Sequence, residues 1–350
     1  MIFDKFFCMN SFLMYRYIYD PHKTFKEGIV PTFYEPQAPY YYVENMNDVE
    51  EAIDDYLIDL FSKKNKVALM LSGGIDSQIL AKKVPKDTKC FTFRSIADGA
   101  IDESKIAEQY ANENGLEHEI IDIHWSDFEL LAPKVMEAKG APVHSIAIQI
   151  YKAALIAKEQ GYDCLLFGES ADIKFGGFGG LLSKDWTLAE FINRYSFVNP
   201  IEVLKVGETL DEPYREFMNE NGTVDVYGFM NYYFYRESVD CYITSCETAG
   251  VKFASPFYKM KPKFELDIDR IRRGENKYIL RELFTKLYPN KTVAPKIPMP
   301  RAVDIWLKDW KGPIRSEFRE DLVLDNYSGD QKWMIYCLEQ FLNIMEINND

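Results

Sequence analysis

The string Ser72-Gly73-Gly74-Ile75-Asp76-Ser77 gathers, within six residues, groups that could do chemistry. It follows the apolar run KVALML at 66–71 and opens a helical pattern, SQILAKKV, at 77–84. Two glycines let a backbone come close to a ligand. A glycine-rich turn ahead of a helix N-terminus presents a set of N–H donors suited to phosphate. Asp76 would repel a bare phosphate. It makes sense if Mg²⁺ lies between the carboxylate and the phosphates. The string has neither the Gly-Lys-Ser/Thr ending of a Walker A loop nor the GxGxxG spacing of a dinucleotide fold. The competing structural explanation is an ordinary capped strand-to-helix turn. The length of the string and its place between strand and helix outweigh it.

The elements that must position this loop alternate. Val49, Ile53, Tyr56, Leu57, Leu60 and Phe61 recur at helical spacing from Asp48 onward. Strands are expected at 66–71, 89–94, 118–123 and 163–167, with helices beginning at 77, over 103–114, and near 127–139 and 145–160. Gly115 stops the second of these helices. Strand and helix in alternation predict a doubly wound parallel α/β sheet. Three regions are expected: a strand-and-turn extension over 1–46, the α/β core over 47–185, and a mostly helical part over 186–350 that completes the active site. The sequence carries net charge −14 over 350 residues, which argues against a nonspecific nucleic-acid partner. The six cysteines form no CxxC pair, and no apolar run reaches membrane-span length. A reducing cytoplasm fits both.

The 72–77 string resembles the pyrophosphate loop of the ATP-pyrophosphatase superfamily, whose members cleave ATP between the α- and β-phosphates. Further motifs resemble the synthetase domain of the asparagine synthetase family, an adenine nucleotide alpha-hydrolase-like fold. They are IDESKIAEQYANENGLEHEIIDI (101–123), FGESADIKFGGF (167–178), SPF (255–257), and NKYILRELFTKLYP (276–289) followed by Lys296. The likeness runs over about 48–311 as scattered motifs. It implies ATP and Mg²⁺ as cofactors. Asp76 and Asp172 would share the metal–pyrophosphate, and Ser72, Gly73, Gly74 and Ser77 would cradle phosphate. Leu71, Phe93, Phe167 and Gly168 would frame adenine and ribose. Glu169 would be the base that deprotonates the attacking amine, Lys296 would stabilise charge in acyl transfer, and Lys277 and Arg281 would face the pyrophosphate. Taken without the resemblance, Lys296 reads as a solvated loop residue, Glu169 as a surface residue and the two phenylalanines as plain core.

MNSFLMYRYIYDPHKTFKEGI (9–29) resembles the hairpin that precedes the family's synthetase domain, and residues 1 and 2 are Met and Ile rather than a catalytic cysteine. A stand-alone synthetase unit without the glutaminase domain is therefore expected. Ammonia, another amine or a separate glutaminase would supply nitrogen to a small-molecule carboxylate. Ile173 and Lys174 depart from the family pattern, as do Gly140 and Ala141 before Pro142; His144 and Ser145 are expected near the acid. These departures point away from aspartate. The expected activity is an ATP-dependent, AMP-forming amide ligase. The alternatives are a tRNA- or base-modifying relative and a non-catalytic nucleotide-binding homologue.

Overall fold

Strands buried on both faces need apolar residues at every position, and the central runs supply them. A computed structural model describes residues 1–34, 39–293 and 299–347. Nine strands occur among them: β1 (Ile2–Phe3), β2 (Lys23–Thr24), β3 (Tyr41–Val43), β4 (Val67–Met70), β5 (Lys89–Ser95), β6 (Glu117–Ile123), β7 (Cys164–Leu166), β8 (Lys252–Ala254) and β9 (Met260–Pro262). Five of them form one sheet in the order β6-β5-β4-β7-β8, with every neighbouring pair parallel. Side chains alternate across it. Val67, Leu69, Cys90 and Leu166 enter one core, whereas Ala68, Met70, Phe91 and Leu165 enter the other.

The helices α2 (Met46–Ser62), α3 (Ile75–Lys83) and α4 (Ser104–Asn114) supply the first of these cores, joined by the Tyr278–Leu287 helix. The second core is filled by α5 (Trp125–Lys139), α6 (Ser145–Glu159) and the Gly329–Ile347 helix. Gly115 ends α4 at φ 67°, in the left-handed region that favours glycine. Asp102 Oδ1 accepts from Ser104 N–H at 2.8 Å where that helix starts. The sequence order reverses at β4, whose neighbours are β5 and β7. That crevice at the carboxyl ends of the strands is where open α/β sheets bind ligands.

Two expectations need correction. Residues 1–46 do contain the short strands β1, β2 and β3, but their largest element is a helix, α1 (Lys5–Tyr15). Asp4 Oδ1 caps it by accepting from Phe7 N–H at 3.0 Å. Every residue from Cys8 to Tyr15 is buried. From Cys8 onward the helix is enclosed on all sides, so that stretch has no polar face and hence no 3.6-residue pattern to read. The region beyond 186 is mostly helical, as expected, but it also supplies β8, the fifth strand of the main sheet. Its three residues, KFA, are too few to show a period of two.

Candidate active site

The loop after β4 is tied by its own hydroxyls. Ser77 Oγ accepts from Ser72 N–H at 3.0 Å, and Ser72 Oγ accepts from Gly74 N–H at 3.1 Å. Gln78 Nε2 reaches back to the Gly73 carbonyl at 2.8 Å. These bonds fix a tight turn into α3 and place Asp76 in its first turn. From β7, Gly168 passes so close that an added Cβ would lie 2.9 Å from Asp76 Cβ and 3.1 Å from Ser77 N. Glycine is required there by close approach, not by its torsion angles. Ser170 sits at φ 74°, in the left-handed region, and turns the chain into the short helix α7 (Ala171–Lys174) that carries Asp172.

One cavity of about 200 Å³ opens at this crevice. Leu71, Ser72, Gly73, Gly74, Asp76, Ser77, Phe93, Phe167, Gly168, Glu169, Asp172 and Lys277 all line it. Lys296 lies outside the described residues. Arg281 also lines the cavity, one helical turn beyond Lys277. Ile173 and Lys174 do not. Ile173 is buried in an aromatic-rich cluster, and Lys174 donates to Asn231 Oδ1 at 3.1 Å. The two departures from the expected motif therefore sit away from the cavity wall. His144 is also elsewhere. It caps α6, its Nδ1 accepting from Ile146 N–H at 2.9 Å, and it shares a small separate cavity with Arg16 and Asp330.

Electrostatics divide the cavity into two ends. At one end Lys277 Nζ lies 2.7 Å from Asp76 Oδ2 and 3.0 Å from Asp172 Oδ1. Burial pulls its ammonium down, but the two aspartates outweigh burial and hold it above the usual lysine range. At the other end Glu169 is half-buried, and burial pushes its carboxyl up. Ser238 Oγ donates to Glu169 Oε1 at 2.8 Å, and Tyr242 also hydrogen-bonds the carboxylate; both pull in the opposite sense. Ser238 and Tyr242 lie one turn apart on the Tyr235–Thr248 helix.

Sequence reasoning missed four cavity residues or supports. Ser238 and Tyr242 sit on a helix whose only local signal is i,i+4 spacing. Asn276 lines the cavity, and its Oδ1 has no hydrogen-bond partner among the described residues. Glu103 is buried and accepts from Gly73 N–H at 3.0 Å; burial raises its carboxyl. Its position just after Asp102, ahead of α4, is the one signal that pointed to it.

Two carboxylates converge here, and no group of three metal-binding side chains occurs among the described residues. A two-carboxylate set suits Mg²⁺, which draws its remaining ligands from phosphates and water. An added Cβ on Gly177 would come within 1.9 Å of Asp172 Oδ1, so glycine there leaves this carboxylate its space.

Comparison with solved structures returns synthetases and tRNA-modifying proteins at low identity. U34-tRNA thiolase NcsA from Methanococcus maripaludis, solved with its [4Fe-4S] cluster, aligns at 14% identity and TM-score 0.33, covering 85% of this chain and 80% of that one. NMN synthetase from Francisella tularensis aligns at 12% and 0.27, covering 73% and 99%. NH3-dependent NAD synthetase from Campylobacter jejuni subsp. jejuni NCTC 11168 aligns at 14% and 0.25, covering 73% and 100%. No curated protein matches the sequence. The family model for asparagine synthase matches residues 48–236, which span β4 to β7, both loops of the crevice and the start of the Tyr235–Thr248 helix. Covering more than half of the sequence and both sides of the cavity, that match shows that the chain belongs to the asparagine synthase family.

Proposed function

We propose that this protein is an AMP-forming, ATP-dependent carbon–nitrogen ligase. The observation that carries this reading is the meeting of the 72–77 loop, the Asp76–Asp172 pair and Glu169 in one cavity at the sheet's switch point. The N–H groups of the first turn of α3 suit the β- and γ-phosphates, while those of Ser72, Gly73 and Gly74 hold the turn in shape. Leu71, Phe93 and Phe167 offer an apolar wall for adenine. Asp76 and Asp172 would hold Mg²⁺, which when bound neutralises charge on the pyrophosphate leaving group.

A carboxylate oxygen of the acid attacks the α-phosphorus, and the bond from that phosphorus to the bridging oxygen breaks. Pyrophosphate leaves and an acyl-adenylate remains. The nitrogen lone pair of ammonia or another amine then attacks the acyl carbon. Glu169 takes the proton lost from nitrogen, and AMP departs with the C–O electron pair. A base with a raised pKa is better matched to an amine proton than an ordinary carboxylate. By resemblance, Lys296 stabilises negative charge in this second step. A separate glutaminase is one source of the ammonia. Six free cysteines suit a cytoplasmic setting, and no helix among the described residues is long and apolar enough to cross a membrane. Burial pushes all six thiols up, Cys8, Cys90, Cys164 and Cys337 to about 12. That disfavours the thiolate chemistry of a thiolation enzyme.

The test is a pyrophosphate-release screen over carboxylic acids with ammonia and simple amines. The expected products are AMP and pyrophosphate in equal amounts; ADP and phosphate would refute the reading. Asp76→Ala is expected to lower turnover by roughly 10³-fold or more. Glu169→Gln should keep acid-dependent ATP–pyrophosphate exchange and lose amide formation by about 10²–10⁴-fold.

A further inference from the structure

The two carboxylates offered to Mg²⁺ already share a cation of the protein's own. Lys277 Nζ stands 2.7 Å from Asp76 Oδ2 and 3.0 Å from Asp172 Oδ1, and the lysine is 6% exposed. Its backbone is in the left-handed region at φ 52°, immediately ahead of the Tyr278–Leu287 helix. A non-glycine residue is kept in that conformation only by its surroundings. The ammonium thus meets the same oxygen pair that a hard divalent ion would need. Mg²⁺ takes oxygens at about 2.0–2.1 Å in a near-octahedral shell. Two cations drawing on the same two oxygens in a largely buried site would repel one another strongly.

We infer that Lys277 is the resident counter-ion of this site and competes with the divalent cation for Asp76 and Asp172. This rests on the metal assignment made under the proposed function. A metal ion arriving alone must displace a buried ammonium and leave it without an anion, which is costly. A metal arriving with nucleotide brings the remedy, because the phosphates give the displaced ammonium a new partner within the same cavity. Metal and nucleotide therefore enter together. The exchange also runs in reverse. When metal and pyrophosphate leave, Lys277 returns to the carboxylates and so favours product release over rebinding.

The experiment uses Mn²⁺ as the probe and the full chain without nucleotide, with free Mn²⁺ counted by electron paramagnetic resonance. Wild type is expected to bind in the millimolar range. Lys277→Gln and Lys277→Met should bind at least ten-fold more tightly, and Lys277→Arg should stay as weak as wild type. Circular dichroism and a thermal melt establish that each variant is folded. Equal or weaker Mn²⁺ binding by the folded Gln and Met variants overturns the inference. The wild-type measurement decides independently of the variants: micromolar binding without nucleotide overturns it too. Adding Asp76→Asn to Lys277→Gln should erase the gain. If the gain survives, the ion sits elsewhere and the metal assignment itself fails. If Lys277→Gln gives no gain, yet Asp76→Asn abolishes ATP-dependent Mn²⁺ uptake by wild type, only the competition fails.

Discussion

Glu169, the proposed base, owes its raised pKa to burial, opposed by the donors around it. Burial raises its pKa, while Ser238, the Ser170 N–H and Tyr242 lower it and the nearby Asp172 raises it again. The balance is adjustable through its hydrogen-bond donors. Ser238→Ala removes a 2.8 Å donor to the ionised form and should raise the pKa further. A hydrogen bond to a charged group contributes about 1.5–3 kcal/mol, equivalent to roughly one to two pKa units. As the proposed base, Glu169 would have to be ionised to accept the amine proton, so the acid limb of the rate profile should move to higher pH by about that amount. Activity well above the limb should stay near the wild-type value. The check is kcat/KM for amide formation across pH in wild type, Ser238→Ala and Tyr242→Phe. A uniform loss at every pH would mean that the hydroxyls serve only packing.

At the scale of elements, the site is the gap between two strand–loop–helix units. Gly168 measures that gap, since any Cβ there meets Asp76 and Ser77 backbone. Gly168→Ala should push the β7 loop off the β4 loop at a cost of about 1–3 kcal/mol, the usual range for overpacking. A thermal melt should show Tm lowered by a few degrees, and ATP affinity should fall with it. An unchanged Tm and affinity would mean that the two loops do not have to meet. Much of this arrangement was legible beforehand, because strand, glycine turn and helix start are local signals. The 72–77 loop, the Gly115 stop and four of the main sheet's five strands can all be read from neighbouring residues. The remainder depends on partners distant in sequence. Nothing near Ser238 or Tyr242 signals that their helix meets Glu169. Nor does the lysine motif reveal that Lys277 comes to rest between two aspartates rather than in solvent. The helix α1 escaped notice for a different reason, since burial of every residue from Cys8 to Tyr15 removes the periodicity that announces a surface helix.

Across the whole molecule, that same buried helix is joined to the rest of the protein by charge. Arg16, at its C-terminal end, lies 3.1 Å from Glu237 Oε1 and stacks over the Phe197 ring at 3.7 Å. Its Nη1 also contacts His144 at the start of α6. Nearby, Lys139 of α5 pairs with Asp240 at 2.9 Å. Glu237 and Asp240 belong to the helix that carries Ser238 and Tyr242, so this network and the candidate base share one support. Glu237 is 3% exposed, and its pKa is pushed up to about 7. Burial is the main cause; Glu169 and Asp240 add to it, while Arg16 and Arg301 oppose it. In the unfolded chain this carboxyl ionises near its ordinary 4.5. Between about pH 4.5 and 7 the folded state therefore holds a proton that the unfolded state has released, and stability falls as pH rises. The total is on the order of 3 kcal/mol. His144 slopes the other way. Burial, Arg16 and Arg301 hold it well below its usual range, so its contribution rises with pH up to about 6.5. The difference between wild type and Glu237→Gln isolates the glutamate. Urea unfolding at pH 5 and at pH 7.5 should show wild type losing about 2 kcal/mol more than Glu237→Gln over that interval. Parallel pH dependence in the two proteins would mean that Glu237 stays ionised throughout, held by Arg16 alone.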